Sequence, residues 1–290
     1  AVGHGQKVMI EFVSVNPTGP VHVGHTRGAV LGSALASIMD AAGFSVTREY
    51  YINDAGTQMD AFYRSVFARY MQVQGQEAEM PANGYVGDYS VDLAGEIRAS
   101  QGSRFAQMDE EQGIKEIGNL AREKMVALIR ADLSLIGVEF DNWFSEGTLF
   151  QHGEYDKAIK LLRENNYLSQ RDGALWFNSS VMGDDRDNVV VRSTGEPTYF
   201  ASDIAYHYNK FIERDFDAVV NIWGADHQGH VPRMKLAVAA LGVDAEKLTI
   251  LISQMVTLKR GQELVKASKR TGDFVSLREL ADEVGTDACR

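Results

Sequence analysis

Two histidines, His22 and His25, follow a breaker cluster, Asn16-Pro17-Thr18-Gly19-Pro20, with only Val23 and Gly24 between them. An apolar run precedes the cluster, and residues 26–42 carry Val30, Leu31, Leu35, Ile38 and Met39 at helical spacing. Strand, tight turn and helix aim free backbone N–H groups and a helix dipole at an anion. Imidazoles at that helix mouth can donate hydrogen bonds to phosphate oxygens, and Gly24 carries no side chain to obstruct a close approach. Near the other end, Lys266-Ala267-Ser268-Lys269-Arg270 concentrates cations on a basic stretch. Such groups suit reaction at phosphorus, where charge grows on phosphoryl oxygens and positioned cations stabilise it. Glu11 lies within the first apolar run, where a buried carboxylate needs a cation or donors nearby.

The elements that must position these residues can be read in chain order. Residues 8–15 read as a short buried strand, 45–52 as a second strand, and 57–71 as a helix. That helix turns Met59, Phe62, Tyr63, Val66, Phe67 and Tyr70 inward as core. Composition turns polar over 72–83, the expected edge of an insertion. Helices over 86–99, 114–136 and 154–165 follow, with antiparallel strands at 174–177 and 188–192. A run buried on both faces returns at 216–223 and ends in Gly224-Ala-Asp226-His227-Gln-Gly-His230. A helix over 231–241, a strand over 248–257, and a helix over 277–284 capped by Ser276 and Glu279 complete the pattern. The expected fold class is α/β: a doubly wound parallel, Rossmann-like sheet split by an inserted α+β connective domain. The expected divisions are 1–71 and 196–290 as two halves of the sheet domain and 72–195 as the insertion. Ligands of such a sheet lie beyond the carboxyl ends of its strands.

Bulk properties narrow the class. A chain of 290 residues with 44% hydrophobic content buries about three quarters of its unfolded surface. No apolar run reaches the ~18 residues of a membrane span. The first residues lack a signal-peptide pattern, and the single Cys289 excludes an internal disulfide and a cysteine-based zinc site, so a cytoplasmic setting is expected. A net charge of −11 argues against a surface that grips nucleic acid everywhere.

His22-Val-Gly-His25 resembles the H-x-G-H signature of class I aminoacyl-tRNA synthetases, and Lys266-Ala-Ser-Lys-Arg270 resembles their K-M-S-K loop. Ala267 departs from the usual methionine, which removes packing from the loop but leaves its ionic residues. Asn53-Asp54-Ala-Gly56 is similar to a family segment at the rim of the ATP pocket. Gly195-Glu-Pro-Thr-Tyr199-Phe-Ala-Ser-Asp203, taken with Glu11, Ser14 and Asn16, resembles the arginyl-tRNA synthetase family in particular. The resemblance implies that His22, His25, Lys266 and Lys269 act on ATP, with Gly24, Gly224, Asp226 and Arg270 also binding it. It implies that Glu11, Tyr199 and Asp203 bind a guanidinium, Ser14 and Asn16 the amino and carboxylate end of arginine, and that His227 lies near the substrate. A guanidinium offers five planar donors, so carboxylates and flat aromatic surface suit it.

The activity so implied is activation of L-arginine by ATP to arginyl-adenylate and transfer to the 3′-terminal ribose of tRNA(Arg). ATP with Mg2+ is the expected cofactor, no protein-bound zinc is expected, and a monomer away from any membrane is the expected state. Arginyl enzymes of this type also carry an N-terminal tRNA-contacting module and a C-terminal anticodon-binding domain, so this chain resembles their catalytic core. Two other readings compete: another H-x-G-H nucleotidyltransferase, and a paralogue or fragment that binds nucleotide or tRNA without turnover.

Overall fold

The computed structural model describes residues 2–254, 256, 258–260, 263–265 and 274–290. In chain order the elements are β1 (Lys7–Glu11), α1 (Val23–Ala41), β2 (Ser45–Ile52), α2 (Thr57–Val73), α3 (Asp88–Gln101), α4 (Glu110–Leu135) and β3 (Asn142–Ser145). They continue with α5 (Gly147–Gln151), α6 (Glu154–Glu164), β4 (Leu168–Arg171), β5 (Ala174–Phe177), β6 (Asn188–Val191), α7 (Tyr199–Tyr208) and β7 (Ala218–Gly224). The last are α8 (Val231–Ala240), β8 (Leu248–Ser253), β9 (Leu258–Arg260), β10 (Glu263–Val265), α9 (Leu277–Val284) and α10 (Thr286–Cys289).

The chain divides into two compact units. The first comprises residues 1–13, 31–51 and 140–254. Its centre is a five-stranded sheet in the order β3-β2-β1-β7-β8, with parallel pairing of β1 to β2, β1 to β7 and β7 to β8. β1 lies between two parallel neighbours, so Val8, Met9 and Ile10 are buried on both faces. Strand order reverses there, which makes the end of β1 a topological switch point. β3 falls within the stretch expected as the insertion, yet it forms the edge of this sheet. Aromatic stacking explains its docking: Trp143 lies 4.3 Å from the Tyr50 ring, and Phe140 lies 4.5 Å from Phe12. β4, β5 and β6 form a separate antiparallel sheet. Its Phe177 and Val190 join a core with Phe200, Ile204, Ala237 and Val238 from α7 and α8. Each of the larger side chains among them contributes roughly 1.5–3 kcal/mol by leaving water.

The second unit comprises residues 14–30, 52–139 and 255–290. α2, α3 and α4 build it, burying Met59, Phe62, Val66, Ile97, Ile117 and Ile129. Asp109 caps α4 by accepting from the N–H groups of Glu111 and Gln112. Gly118 is a packing glycine: a Cβ there would sit 2.3 Å from the Tyr63 ring. The capping box expected at Ser276 and Glu279 is present, and Arg278 of that helix donates to the buried Asp132 of α4 at 2.7 Å.

The first strand is shorter than the apolar run suggests. β1 ends at Glu11, and Val13 and Ser14 take φ of 66° and 43°, a left-handed conformation that costs a β-branched residue of order 1–3 kcal/mol. β8 likewise ends at Ser253.

Candidate active site

Glu11 is the last residue of β1 and only 7% exposed. The cation that its burial demands is Lys210, 0% exposed, with Nζ 2.5 Å from Glu11 Oε2. Lys210 stands in a π-helical turn, Asn209–Glu213, that continues α7. Its ammonium also donates to Asn221 Oδ1 of β7 at 3.0 Å and lies 3.9 Å from the centre of the Tyr206 ring. None of these partners was evident from sequence. Lys210 belongs to no motif in the sequence, and its charge matters only through pairing across 199 positions.

Tyr199 and Asp203 fall on α7 four residues apart, so they share one face. Tyr199, at the first turn, is 53% exposed. Asp203 keeps a partly exposed surface but is hemmed in by protein, and its carboxyl is pushed up to about 7. Burial is the main cause, and the negative charges of Glu11 and Glu146 add to it, against Lys210 and Arg233. The Arg233 guanidinium lies 5.3 Å over the Phe200 ring and donates to Asn188 Oδ1 at 3.1 Å.

A second carboxylate, Glu49 on β2, is fully buried and fully met. Arg214 donates to both of its oxygens at 2.8 and 2.6 Å, Tyr206 at 2.5 Å and Asn142 at 2.8 Å. Burial alone would raise this carboxyl, but Arg214 above all, then Tyr206 and Asn142, hold it below its usual value. Tyr206 thus packs between two ionic pairs, and burial next to Glu11 and Glu49 raises its phenol well above the usual range.

β7 ends at Gly224, where a Cβ would lie 2.5 Å from Asp226 Oδ1. A larger residue there would turn the exposed Asp226 side chain away from the strand end. His227 Nδ1 and Asp226 Oδ1 are 3.0 Å apart, both well exposed. Among the described residues no three His, Cys, Asp or Glu side chains gather as a metal centre.

In the second unit the rings of His22 and His25 stack with centroids 3.7 Å apart. The Gly24 N–H donates to His22 Nδ1 at 3.1 Å, and the His22 N–H points to His25 Nδ1 at 3.5 Å. Nδ1 of His22 is thus an acceptor, and a neutral ring carries its proton on Nε2. A Cβ at Gly24 would lie 2.8 Å from His22 Cε1, so the His22 ring would have to shift on its stack. The same motif is stitched to the end of the chain. His22 pairs with Ser276 as an antiparallel bridge, the Val23 N–H donates to the Val275 oxygen at 3.2 Å, and the Leu277 N–H to the Val21 oxygen at 2.8 Å. Phe274 lies 6.0 Å from the His22 ring. Lys266, Ala267, Lys269 and Arg270 lie outside the described residues, but the segment that follows them is the one bound to His22. Asn16 donates to Gln58 Oε1 of α2 at 2.6 Å, and Asp54 pairs with Arg122 at 3.2 Å.

The family model described as tRNA synthetases class I (R), catalytic domain, matches residues 1–290. This chain belongs to that family. An arginine–tRNA ligase of Dehalococcoides mccartyi is 57% identical over 289 residues, covering 100% of this chain and 52% of the relative. One of Carboxydothermus hydrogenoformans is 51% identical over 290 residues, with 52% of its length covered. The chain therefore spans about half the length of these curated relatives. A Campylobacter jejuni structure assigned as an arginyl-tRNA synthetase superposes with a TM-score of 0.89 at 36% identity, covering 99% of this chain and 63% of that one. Thermus thermophilus arginyl-tRNA synthetase, at 22% identity and a TM-score of 0.71, shares the fold, over 98% of this chain and 53% of its own. No helix among the described residues of this synthetase domain is long and apolar enough to cross a membrane.

Proposed function

We propose that this chain is the catalytic part of an arginine–tRNA ligase. A carboxylate oxygen of L-arginine attacks the α-phosphorus of ATP, the new P–O bond forms as the bond to the bridging oxygen breaks, and pyrophosphate leaves with that electron pair. The 3′-terminal ribose of tRNA(Arg) then attacks the acyl carbon through a hydroxyl, AMP departs, and the hydroxyl proton is lost to solvent. Magnesium enters with ATP and offsets charge on the triphosphate.

In this reading Glu11 and Asp203 take the guanidinium, with Tyr199 offering flat aromatic surface, while Ser14, Asn16 and His227 meet the rest of the amino acid. His22 and His25 donate to phosphate oxygens through Nε2. Gly24, Gly224, Asp226 and Arg270 contact the nucleotide, and Lys266 and Lys269 neutralise the charge that grows as pyrophosphate leaves. The observation that carries the reading is the placement of Asp203 and Tyr199 on one face of α7, with Glu11 at the end of β1 among the charges that act on Asp203: burial first, then Glu11 and Glu146, push the Asp203 carboxyl up, against Lys210 and Arg233. A guanidinium supplies a cation and the donors.

ATP–pyrophosphate exchange, assayed with tRNA(Arg) present, tests it. Exchange that depends on arginine and not on lysine supports the proposal, and exchange driven equally by either amino acid removes it.

A further inference from the structure

Four side chains of the first unit form a hydrogen-bonded line, and chemistry sets the sense of every link. Lys210 Nζ can only donate, so Glu11 Oε2 at 2.5 Å and Asn221 Oδ1 at 3.0 Å both accept. With its oxygen so assigned, Asn221 presents Nδ2 to His207 Nε2 at 2.9 Å, and that nitrogen must accept. The ring proton of His207 is then on Nδ1, 2.7 Å from the main-chain oxygen of Asp203. A carbonyl can only accept, so both neighbours of His207 demand the same tautomer. Burial and the Lys210 charge push the imidazolium down to about 3, which keeps the ring neutral as the line requires. Lys210, Asn221 and His207 are each at most 1% exposed.

We propose that His207, Asn221 and Lys210 are positioning residues that hold the Glu11 carboxylate in fixed register with Asp203, so that both can reach one guanidinium. The inference rests on the arginine-binding reading of Glu11 and Asp203. One end of the line is the α7 main chain at Asp203 itself, and the other is the side chain at the end of β1. The π-helical turn at Asn209–Glu213 is the local departure that carries Lys210, and such turns recur at functional positions. Hydrocarbon of the same shape often stabilises a fold as well as a buried ion pair does, and the proposal assigns to this pair a geometric role. Lys210 takes one oxygen of Glu11, and Oε1 makes no hydrogen bond among the described residues, leaving an acceptor for an incoming N–H. Lys210 also cancels one of the carboxylate charges, so the pair offers a net charge matched to a monocation.

The test is nitrogen-15 NMR of the His207 ring in this chain, followed by binding measurements on Asn221→Leu. The line predicts the Nδ1–H tautomer without ligand, and His207 and Lys210 nitrogen resonances that move on saturation with L-arginine but not with ATP. An Nε2–H tautomer, or resonances unmoved by saturating arginine, overturns it. Asn221→Leu cuts the line without adding charge, and arginine affinity should fall about tenfold or more, with ATP affinity unchanged. Arginine bound equally by Asn221→Leu and the unaltered chain overturns the proposal. Failure of the unaltered chain to bind arginine at all strikes instead at the reading beneath it.

Discussion

Lys210 Nζ and Glu11 Oε2 meet at 2.5 Å, although 199 positions separate them in sequence. The contact joins the end of β1 to the turn that continues α7, and so ties the central strand to the helix that carries Tyr199 and Asp203. Glu11→Ala leaves a buried ammonium with one polar partner, Asn221. The expected loss is about 3–5 kcal/mol, read as a lower urea midpoint with unchanged slope. The double change Glu11→Gln with Lys210→Met removes both charges together and should recover most of that loss. A double variant as unstable as Glu11→Ala would show that the ion pair is not the source of the effect.

Glu49 gives a stability prediction with a defined pH window. Its folded carboxyl titrates below the ordinary 4.5, chiefly because Arg214 outweighs the cost of burial. Unfolding returns it to the ordinary value, so its contribution is present above that pH and disappears as pH falls through the lower, folded value. Glu49→Gln should cost about 2–4 kcal/mol near neutral pH. The gap from the unaltered chain should close in acid. A gap independent of pH would mean that packing, not charge, sets the cost.

Asp203 behaves in the opposite sense. Its carboxyl, raised to about 7 from 3.8, penalises the folded state progressively as pH rises between those values and fully above them. Asp203→Asn should therefore raise Tm relative to the unaltered chain at about pH 8 and change it little near pH 4. The same substitution should abolish arginine binding, a stability gain at the expense of function. Arginine binding to the unaltered chain should release a proton near pH 6 and tighten toward about pH 8, checked by calorimetry in buffers of different ionisation enthalpy. Affinity flat across that range would contradict an anionic Asp203 as the partner.

What the sequence disclosed and what it withheld follow from range. β2 was expected over 45–52 and occupies Ser45–Ile52, because its alternating β-branched and aromatic residues carry their own pattern. The Ser276–Glu279 capping box was legible for the same reason, since both bonds are made within one turn. The end of β1 was not: Val13 and Val15 favour an extended chain, and the left-handed turn at Val13 and Ser14 is imposed against that preference. β4 carries no strand signal of its own, because Leu-Ser-Gln-Arg lacks β-branched residues and is held by its neighbour β5. In the site, Glu11 declared that it needed a cation, but Lys210, Asn221 and His207 could be found only by bringing β1, α7 and β7 together. Glu49 and Arg214, paired across 165 positions, were hidden in the same way.

Gly24 separates two roles for a glycine. Gly24 is the second residue of α1, in its first turn, where Gly→Ala gains at most about 1 kcal/mol of helix stability. Here the new Cβ would lie 2.8 Å from His22 Cε1, and the imidazole must shift on its stack with His25. Gly24→Ala should keep the fold, with Tm unchanged or higher, while adenylate formation drops at least about tenfold. Full activity in a variant of unchanged stability would free the His22–His25 stack from any part in the reaction.

The most direct test of the account is calorimetry of this chain with L-arginine and with citrulline, which keeps the shape of the side chain but not its charge. Carboxylates poised around Asp203 predict saturable binding of arginine, with a proton released near pH 6, and no measurable binding of citrulline. Equal affinity for the two would contradict the anionic pocket and the function built on it.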